Sequence, residues 1–469
     1  MKSSLQHVDR CSFAAVLRIA FPLVMAASGH AFRLLADRIM LARYSASAIS
    51  AAMPAGLACF VLMCFFLGTA GYVNAFVAQY TGSGQSHKVG LAVWQAVFLA
   101  LMGWVVVALC SLFAEPLFAL VGHAPDIQVD QVRYYRVLCW FGGAPLVLSA
   151  LLAFWSGRGH TWVVMVIELV AAAFNILLNY LLIFGHGGFP RLGITGAALA
   201  TGGSGLFAAG VALYLFLAPR HRKQFGTWPR RLFDASLFRR LLRYGMPNGV
   251  KFMLELAAFN TFIIILGRVG PTELEAANMA FGLNAVAFIP IVGLGQAATV
   301  LVGQSLGANR PDDAATAVRR TIEIGLIYAG TIGGIMLVAP NLLLRPFQRP
   351  GDVAQVDALL MAARCLRYIS VYVLVDVFSI IYSHAVRGAG DTRFAMVAGL
   401  TISWVAMVLP CSLGLVLGAN VWILWRLFVG HVVVGAVVFY LRFRSGQWRT
   451  MRVIEMPASE EPAVEELAT

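Results

Sequence analysis

The chain has 469 residues, of which 60% are hydrophobic and only 12% are charged. Soluble domains carry roughly 25% charged residues, so this composition excludes a soluble globular protein and is typical of a polytopic membrane protein. The formal net charge is +13. Because most of the basic residues fall in one set of alternate loops, we attribute this charge to membrane orientation and not to nucleic-acid binding. The seven cysteines are scattered without a CxxC pair and predict neither a disulfide framework nor a metal site.

Twelve apolar segments follow one another along the chain. Backbone groups in lipid must be satisfied within their own segment, so we predict that each segment is a transmembrane helix. The predicted fold class is therefore an all-α polytopic membrane protein. The segments cover roughly residues 15–42, 46–80, 88–113, 130–156, 162–184, 194–218, 240–268, 274–304, 315–340, 358–386, 394–417 and 420–443.

The second half of the chain repeats the first. Pro22 matches Pro247, since 247 − 22 = 225, and the same offset pairs Gln79 with Gln304. Six helices per repeat is an even number, so the repeats are parallel and related by a pseudo-two-fold axis along the membrane normal. Further matched pairs are Arg43 with Arg268, Gly82 with Gly307 and, after a slip in register, Gly157 with Gly388.

The duplication and the loop charges predict the organisation and the orientation. We expect a six-helix bundle over residues 1–225, a second over 226–445, and an acidic, disordered cytoplasmic tail over 446–469. The basic loops predict that both termini and the central loop 219–239 are cytoplasmic.

Enzyme motifs are missing from the chain. It contains no Walker A sequence, no HExxH and no GxSxG near a polar triad, so we predict that it is not an enzyme and needs no cofactor beyond a coupling ion. Gly82, Gly84 and Gly307 are expected to end helices at the cytoplasmic face as C-cap residues rather than to bind phosphate.

Glu168 lies near the cytoplasmic start of the fifth predicted helix and is expected to reach water, whereas three other carboxylates lie deep in apolar segments. They are Asp37 in the first predicted helix, Glu255 in the seventh and Asp376 in the tenth. An ionisable group costs about 2.5–3.5 kcal/mol at the centre of a membrane helix on insertion scales, so its first interpretation is functional. Asn175 and Asn179 are four residues apart and therefore share one helix face.

Several motifs, in order, resemble those of one transporter family. They are LLADRIMLAR around Asp37, the paired segments VAQYTGSGQ and VGQSLGANR, NILLNYLLIFG from Asn175, GITGAALAT, MPNGVKFMLELAAFN and VDVFSIIYSHAVRGAGDTR. In this order and inside a duplication, they resemble the multidrug and toxic compound extrusion (MATE) family, and its NorM-like branch most. The resemblance implies two six-helix bundles and alternating access. It also implies a monomer in the bacterial inner membrane that exports organic cations and drugs in exchange for Na⁺ or H⁺.

The resemblance brings Asp37, Asn175, Asn179 and Thr201 together inside the N-terminal bundle. A carboxylate, two amides and a hydroxyl are hard oxygen donors that suit Na⁺, or a network that switches when Asp37 takes a proton. The alternative is that the asparagines only join helix to helix.

Basic residues near Asp37 depart from the expected pattern. Arg33 lies four residues before Asp37, Arg38 follows it directly, and His30 lies a further turn away. If Arg33 turns toward Asp37, the carboxylate stays charged and is a poor proton carrier.

The resemblance implies a second cation site at Glu255 and Asp376, with Tyr372 one turn before Asp376 and with Phe259 and Phe288 as aromatic support. The alternative is an ion pair between Glu255 and Lys251, four residues before it. We hypothesise that the C-terminal bundle binds the driving cation, Na⁺ in preference to H⁺, and that Asp37 mainly holds its own network together.

Two other functions remain open. A flippase for a lipid-linked precursor could use a related scaffold, but it should line its cavity with basic residues, whereas the pivotal groups here are acidic. An intramembrane enzyme would need a nucleophile–base or metal pattern, which the sequence lacks.

Overall fold

The computed structural model of the protein describes residues 12–121, 124–228, 231–348 and 355–455. These residues form 12 helices long and apolar enough to cross a membrane, which confirms the predicted all-α polytopic fold. They are α1 Phe13–Tyr44, α2 Ser47–Gly82, α3 Ser86–Leu120, α4 Ile127–Ser156, α5 Thr161–Phe184, α6 Gly193–Phe216, α7 Ala235–Val269, α8 Pro271–Gly307, α9 Pro311–Val338, α10 Gln355–Ala389, α11 Thr392–Val416 and α12 Val421–Arg444.

Short polar side chains and glycine mark several helix ends. Asp234 accepts two backbone hydrogen bonds at the start of α7, at 2.9 and 3.0 Å, and Asn420 accepts one at the start of α12, at 3.1 Å. These side chains satisfy N–H groups that have no partner within the helix. At the end of α5, Gly185 adopts the left-handed conformation with φ 78°, which glycine reaches without steric cost.

The helices form two lobes with the same internal packing. In the N-terminal lobe α1 packs on α5 and α3 on α4; in the C-terminal lobe α7 packs on α11 and α9 on α10. Each lobe surrounds its own hydrophobic core. The lobes meet where α2 packs on α7 and α1 packs on α8, which are equivalent pairs under the duplication. The fold therefore carries the internal repeat seen in the sequence into the lobe interface.

Glycine residues allow the helices of the two lobes to approach each other closely at the interface. A Cβ on Gly68 of α2 would lie 2.7 Å from the Cα of Gly249 in α7, and a Cβ on Gly293 of α8 would lie 2.8 Å from Val24 Cγ2 in α1. The two contacts are equivalent under the duplication: Gly293 corresponds to Gly68, since 293 − 68 = 225, and Gly249 corresponds to Val24, since 249 − 24 = 225. No larger side chain fits at either crossing without moving the helices.

We call the end of the molecule at which α2, α8 and α12 end the basic face, because arginines lie at the end of α12. A reciprocal contact joins the two lobes at this face. Gln79 Nε2 of α2 donates to Gly388 O of α10 at 3.1 Å, and Gln304 Nε2 of α8 donates to Gly157 O after α4 at 2.8 Å. Each glutamine reaches into the other lobe, so the basic face is closed.

Two glycines complete this reciprocal contact. A Cβ on Gly82 would lie 2.0 Å from the backbone oxygen of Gln304, and a Cβ on Gly307 would lie 2.1 Å from that of Gln79. Neither glycine has a positive φ, whereas Gly84 does, at 74°. Gly82 and Gly307 end their helices, as expected, but Ser83 and Ala308 hold the C-cap positions. Close approach of two helices, and not capping, is therefore what requires glycine there.

The segment that follows α12 is ordered, contrary to the predicted disorder over 446–469. We call residues 445–455 the strap. Trp448 is buried in the C-terminal core, and Val453 and Ile454 are buried in the N-terminal core. These buried apolar side chains hold the strap against both lobes; residues 456–469 lie outside the described part of the chain.

The connection between the lobes also packs on the N-terminal lobe. It contains a short helix, Pro219–Phe225, and Trp94 Nε1 of α3 donates to Thr227 O at 2.9 Å. The first turns of α7 contribute Leu237 and Leu241 to the N-terminal core. The start of α7 therefore packs on the N-terminal lobe, although the rest of the helix belongs to the C-terminal lobe.

Substituting Gly82 by alanine should destabilise the closed basic face. The new Cβ would meet a backbone carbonyl, which cannot turn aside, and overpacking of this kind costs about 1–3 kcal/mol. The control is Gly334→Ala in α9, where no atom lies within 4 Å and the helix propensity of alanine favours stability. Thermal unfolding in detergent should show opposite shifts; a Gly82→Ala protein as stable as wild type would contradict the close contact.

Candidate functional site

The first candidate site lies within the N-terminal lobe, around Asp37, which is 6% exposed. Asn179 Nδ2 donates to Asp37 Oδ1 and, at 3.1 Å, to Asn175 Oδ1; Thr201 Oγ1 donates to Asp37 Oδ2 at 3.4 Å. The structure brings together the four side chains that the resemblance implied, from α1, α5 and α6. Their role in cation binding stays a prediction.

Two polar atoms of this network lack partners. Asn175 Nδ2 and Asn179 Oδ1 are buried without a hydrogen bond. Buried polar groups are nearly always bonded, so such an atom needs an explanation. The free amide oxygen of Asn179, whose Nδ2 contacts the Asp37 carboxylate, can coordinate a cation or accept a hydrogen bond from a protonated group. The network is therefore incomplete as a purely structural one.

The basic residues near Asp37 do not neutralise it. Arg33 Nη2 lies 2.6 Å from His30 Nδ1, so its guanidinium is engaged one turn away. Arg38 is exposed. Within the described residues Asp37 has no ion-pair partner. Arg33 therefore does not turn toward Asp37, which was the arrangement expected to make the carboxylate a poor proton carrier.

The second candidate site contains an ion pair. Lys251 Nζ lies 2.7 Å from Glu255 Oε1 and 2.8 Å from Glu255 Oε2. Gly399 of α11 makes room for the pair, since a Cβ there would lie 2.6 Å from Glu255 Oε1. The spacing of four residues puts both side chains on one helix face. The ammonium of Lys251 occupies the position at which we expected Na⁺ on Glu255.

The other residues of the second site are partly brought together. Asp376 is close enough to both Glu255 and Tyr372 for electrostatic interaction. The Tyr372 ring lies 5.6 Å from that of Phe428 and belongs to the aromatic cluster that Phe259 also joins. Phe288 is 41% exposed and has no ring contact among the described residues. The structure therefore does not place Phe288 in this cluster.

A cavity of about 380 Å³ lies between the lobes, next to the closed basic face. Both lobes line it. One wall residue was missed by the sequence analysis: Glu168 of α5, which we expected to reach water near the helix start. The spacing could have revealed it, because Glu168 is seven residues before Asn175 and so on nearly the same helix face. The other ionisable wall residues are His30, Tyr72, His384 and Arg387.

The C-terminal wall of this cavity carries a guanidinium. Arg387 Nη1 donates to Asn248 Oδ1 at 2.7 Å, and Asn248 Nδ2 donates across the interface to Gly68 O at 2.7 Å. Neither Arg387 nor Glu168 forms an ion pair within the described residues, although Arg33 is near enough to Glu168 for electrostatic interaction. The cavity thus presents an acid from one lobe and a base from the other.

The sequence model of the MatE family matches the chain twice, over residues 22–181 and 247–411. The chain belongs to the MatE family. Its two matches begin one repeat apart, since 247 − 22 = 225. This membership confirms the resemblance found in the motifs.

Curated relatives cover nearly the whole chain. A "probable multidrug resistance protein NorM" of Brucella suis is 26% identical over 447 residues, or 91% of this chain and 92% of the relative. One of the same description from Pseudomonas putida is 29% identical over 453 residues, or 94% and 95%. The chain is therefore a MatE protein of the NorM-like type.

Solved structures share the fold. One, described as the outward-facing conformation of a multidrug resistance MATE family transporter, superposes with a TM-score of 0.84 at 19% identity and covers 92% of this chain and 95% of its own. A eukaryotic MATE transporter, AtDTX14, gives a TM-score of 0.82 at 19% identity over 95% and 97%. At this identity the likeness establishes the two-lobed fold alone.

The Lys251–Glu255 pair should contribute to stability. Removing one member of a pair withdrawn from water leaves the other uncompensated, so Lys251→Gln or Glu255→Gln alone should cost on the order of 2 kcal/mol, and the double variant should recover part of it. The measurement is a double-mutant cycle of thermal unfolding.

The exposed pair Arg136–Glu115, with Nη2 and Oε1 2.8 Å apart, is the control for this cycle. Its coupling free energy should stay below about 0.5 kcal/mol, because water screens exposed charges. Equal coupling in the two cycles would show that Lys251 does not hold Glu255.

Proposed function

We propose that this MatE protein is a secondary active multidrug efflux antiporter that exports organic cations in exchange for Na⁺ or H⁺ by alternating access. The observation that carries the proposal is the inter-lobe cavity closed at the basic face by Gln79, Gln304 and their glycine partners. Because these contacts run between the lobes, a relative movement of the lobes would break them and open the cavity to that face. The names of the curated relatives support the assignment to drug export.

The cavity supports cationic substrates through Glu168. Its carboxylate forms no ion pair within the described residues, and a cation that enters the cavity would supply one. An unpaired carboxylate in a partly apolar cavity attracts a positive charge more strongly than it would in water. We propose that Glu168 binds the cationic group of the substrate.

We propose that Asp37 is the coupling carboxylate. This reverses the hypothesis formed from the sequence, which favoured Glu255 and Asp376. Glu255 already has a cationic partner in Lys251, whereas Asp37 is buried with two neutral hydrogen-bond donors and forms no ion pair within the described residues. A buried carboxylate of this kind can exchange a proton or a monovalent cation as the surrounding helices move.

One observation favours a second candidate function. Arg387 is a cavity guanidinium whose polar contacts are with neutral oxygens. A flippase for a lipid-linked precursor would use such a group to hold an anionic headgroup. Transport of a fluorescent phospholipid-linked sugar, with no transport of organic cations, would favour this alternative.

In proteoliposomes, wild-type protein should export a fluorescent organic cation when either a Na⁺ or an H⁺ gradient is applied. Asp37→Asn should lose the part of the export that the gradient drives, because asparagine keeps the shape of the side chain and removes its charge. Glu168→Gln should keep gradient dependence but need about tenfold more substrate for half-maximal rate, the loss expected for one charged contact. The control is Glu115→Gln, an exposed carboxylate remote from both sites.

The outcome separates the two candidate coupling sites. Retained coupling in Asp37→Asn, together with its loss in Asp376→Asn, would return the ion to the C-terminal lobe. Absence of cation export by the wild-type protein under both gradients would overturn the proposed function itself.

We also propose that the basic face is the cytoplasmic face of a bacterial plasma membrane, because cytoplasmic loops carry the excess of basic residues. Lys223 lies in the connection between α6 and α7, and Pro190 lies in the loop between α5 and α6; both are exposed. A cysteine at 223 should react with a membrane-impermeant thiol reagent only from inside the cell, and a cysteine at 190 only from outside. Labelling of both from one side would contradict the orientation.

A further inference from the structure

A second cavity, of about 300 Å³, lies at the basic face, apart from the cavity between the lobes. Its walls come from three parts of the chain: α7, the turn into α11, and the strap. Arg243, Arg393 and Arg452 each stand on a different one of these walls. The cavity is distinct from both candidate sites described above.

The charge of this cavity is not compensated by the protein. Arg243 and Arg393 have no acidic partner within the described residues. The wall also contains one acid, Asp391, but it forms an ion pair with Arg442, which is not a wall residue; Arg442 Nη2 lies 2.7 Å from Asp391 Oδ2. Three guanidinium groups therefore meet at a cavity whose own carboxylate is already neutralised.

Arg452 is held in place by neutral oxygens. It donates to Arg449 O and to Met451 O, each at 2.7 Å, and to Asn309 Oδ1 at 3.3 Å. Burial lowers the pKa of its guanidinium, which means that the surroundings disfavour its charge. An anion in the cavity would offset that cost.

The start of α11 adds uncapped donors. Asp391 occupies the N-cap position, but its side chain makes no capping hydrogen bond, because it binds Arg442. The first N–H groups of a helix carry a partial positive charge and commonly bind anions. Thr392, on the same wall, has a buried hydroxyl without a partner. A helix start and three guanidinium groups thus line one space, with an unpartnered buried hydroxyl on a residue of its wall.

We propose that this cavity binds a phosphate group, carried either by an anionic phospholipid headgroup or by a soluble phosphate compound. Guanidinium groups recognise phosphate oxygens through paired, charge-assisted hydrogen bonds. Basic pockets between membrane helices on the cytoplasmic side are sites at which acidic headgroups bind.

The position of the site links it to closure of the basic face. Arg452 precedes Val453, whose N–H donates to Gln79 Oε1 at 2.8 Å, and Gln79 belongs to the reciprocal contact between the lobes. Gly390 of the cavity wall packs on Val453, with a built Cβ 2.9 Å from Val453 Cγ1. A phosphate group that bridges the strap to α7 and α11 therefore stabilises the state in which the basic face is closed.

The test is a binding measurement on the purified full chain in neutral detergent, followed by thermal unfolding. One arm titrates inorganic phosphate at constant ionic strength with chloride as the balancing anion. The other titrates short-chain phosphatidylglycerol, with phosphatidylcholine as the neutral comparison. We expect a saturable rise in melting temperature with at least one anionic probe. A response to phosphatidylglycerol alone identifies a lipid headgroup, and a response to inorganic phosphate identifies a soluble ligand.

The variants distinguish a built site from general attraction to a basic surface. Arg393→Gln should weaken binding about tenfold, and the double variant Arg243→Gln/Arg393→Gln about a hundredfold, because each charged contact contributes on the order of one factor of ten. Both arginines are exposed, so the unliganded variants should unfold at the wild-type temperature. The control, Arg220→Gln, removes an exposed arginine outside this cavity and should change binding less than twofold.

Three outcomes would overturn the proposal. They are no shift with either anionic probe, an equal loss in Arg220→Gln and Arg393→Gln, and binding that occurs only when the glutamates after residue 455 are removed. The readout is binding and not transport, so its failure leaves the proposed efflux function untouched.

Discussion

The crossing of α2 and α8 at the basic face is the contact on which the arrangement of the lobes depends. Gln79 and Gln304 each reach a backbone oxygen of the opposite lobe, and glycine at 82 and 307 lets the two helices touch. The two halves of the contact are related by the duplication. The inter-lobe cavity ends where this contact begins, so these four residues separate the cavity from that face.

The lobes share a scaffold but differ in what they bury. Where the N-terminal lobe places Asp37, the C-terminal lobe has Phe262, stacked on Phe428 with centroids 4.7 Å apart. The C-terminal lobe instead buries its charges elsewhere, in the Lys251–Glu255 pair and at Asp376. The repeat therefore supplies one scaffold twice, and the two lobes differ in where they place their ionisable groups.

Much of this could be predicted from the sequence, because apolar length and the offset of 225 report directly on spans and repeats. The Asp37 network followed from motif resemblance and from the spacing of Asn175 and Asn179. The Lys251–Glu255 pair could be named only as an alternative, since a spacing of four permits contact without requiring it. The strap could not be predicted: its apolar residues are few, and their burial depends on a surface that two distant lobes create together.

The strap has a consequence for how the protein is made. Residues 445–455 follow all twelve helices in the chain, yet Val453 and Ile454 complete the core of the first lobe, and Val453 bonds Gln79. During synthesis, the first lobe must therefore wait in the membrane with an unfilled apolar site until the ribosome has passed helix α12. Sealing of the basic face is a late step of biogenesis, so a partly synthesised carrier cannot yet hold that side shut.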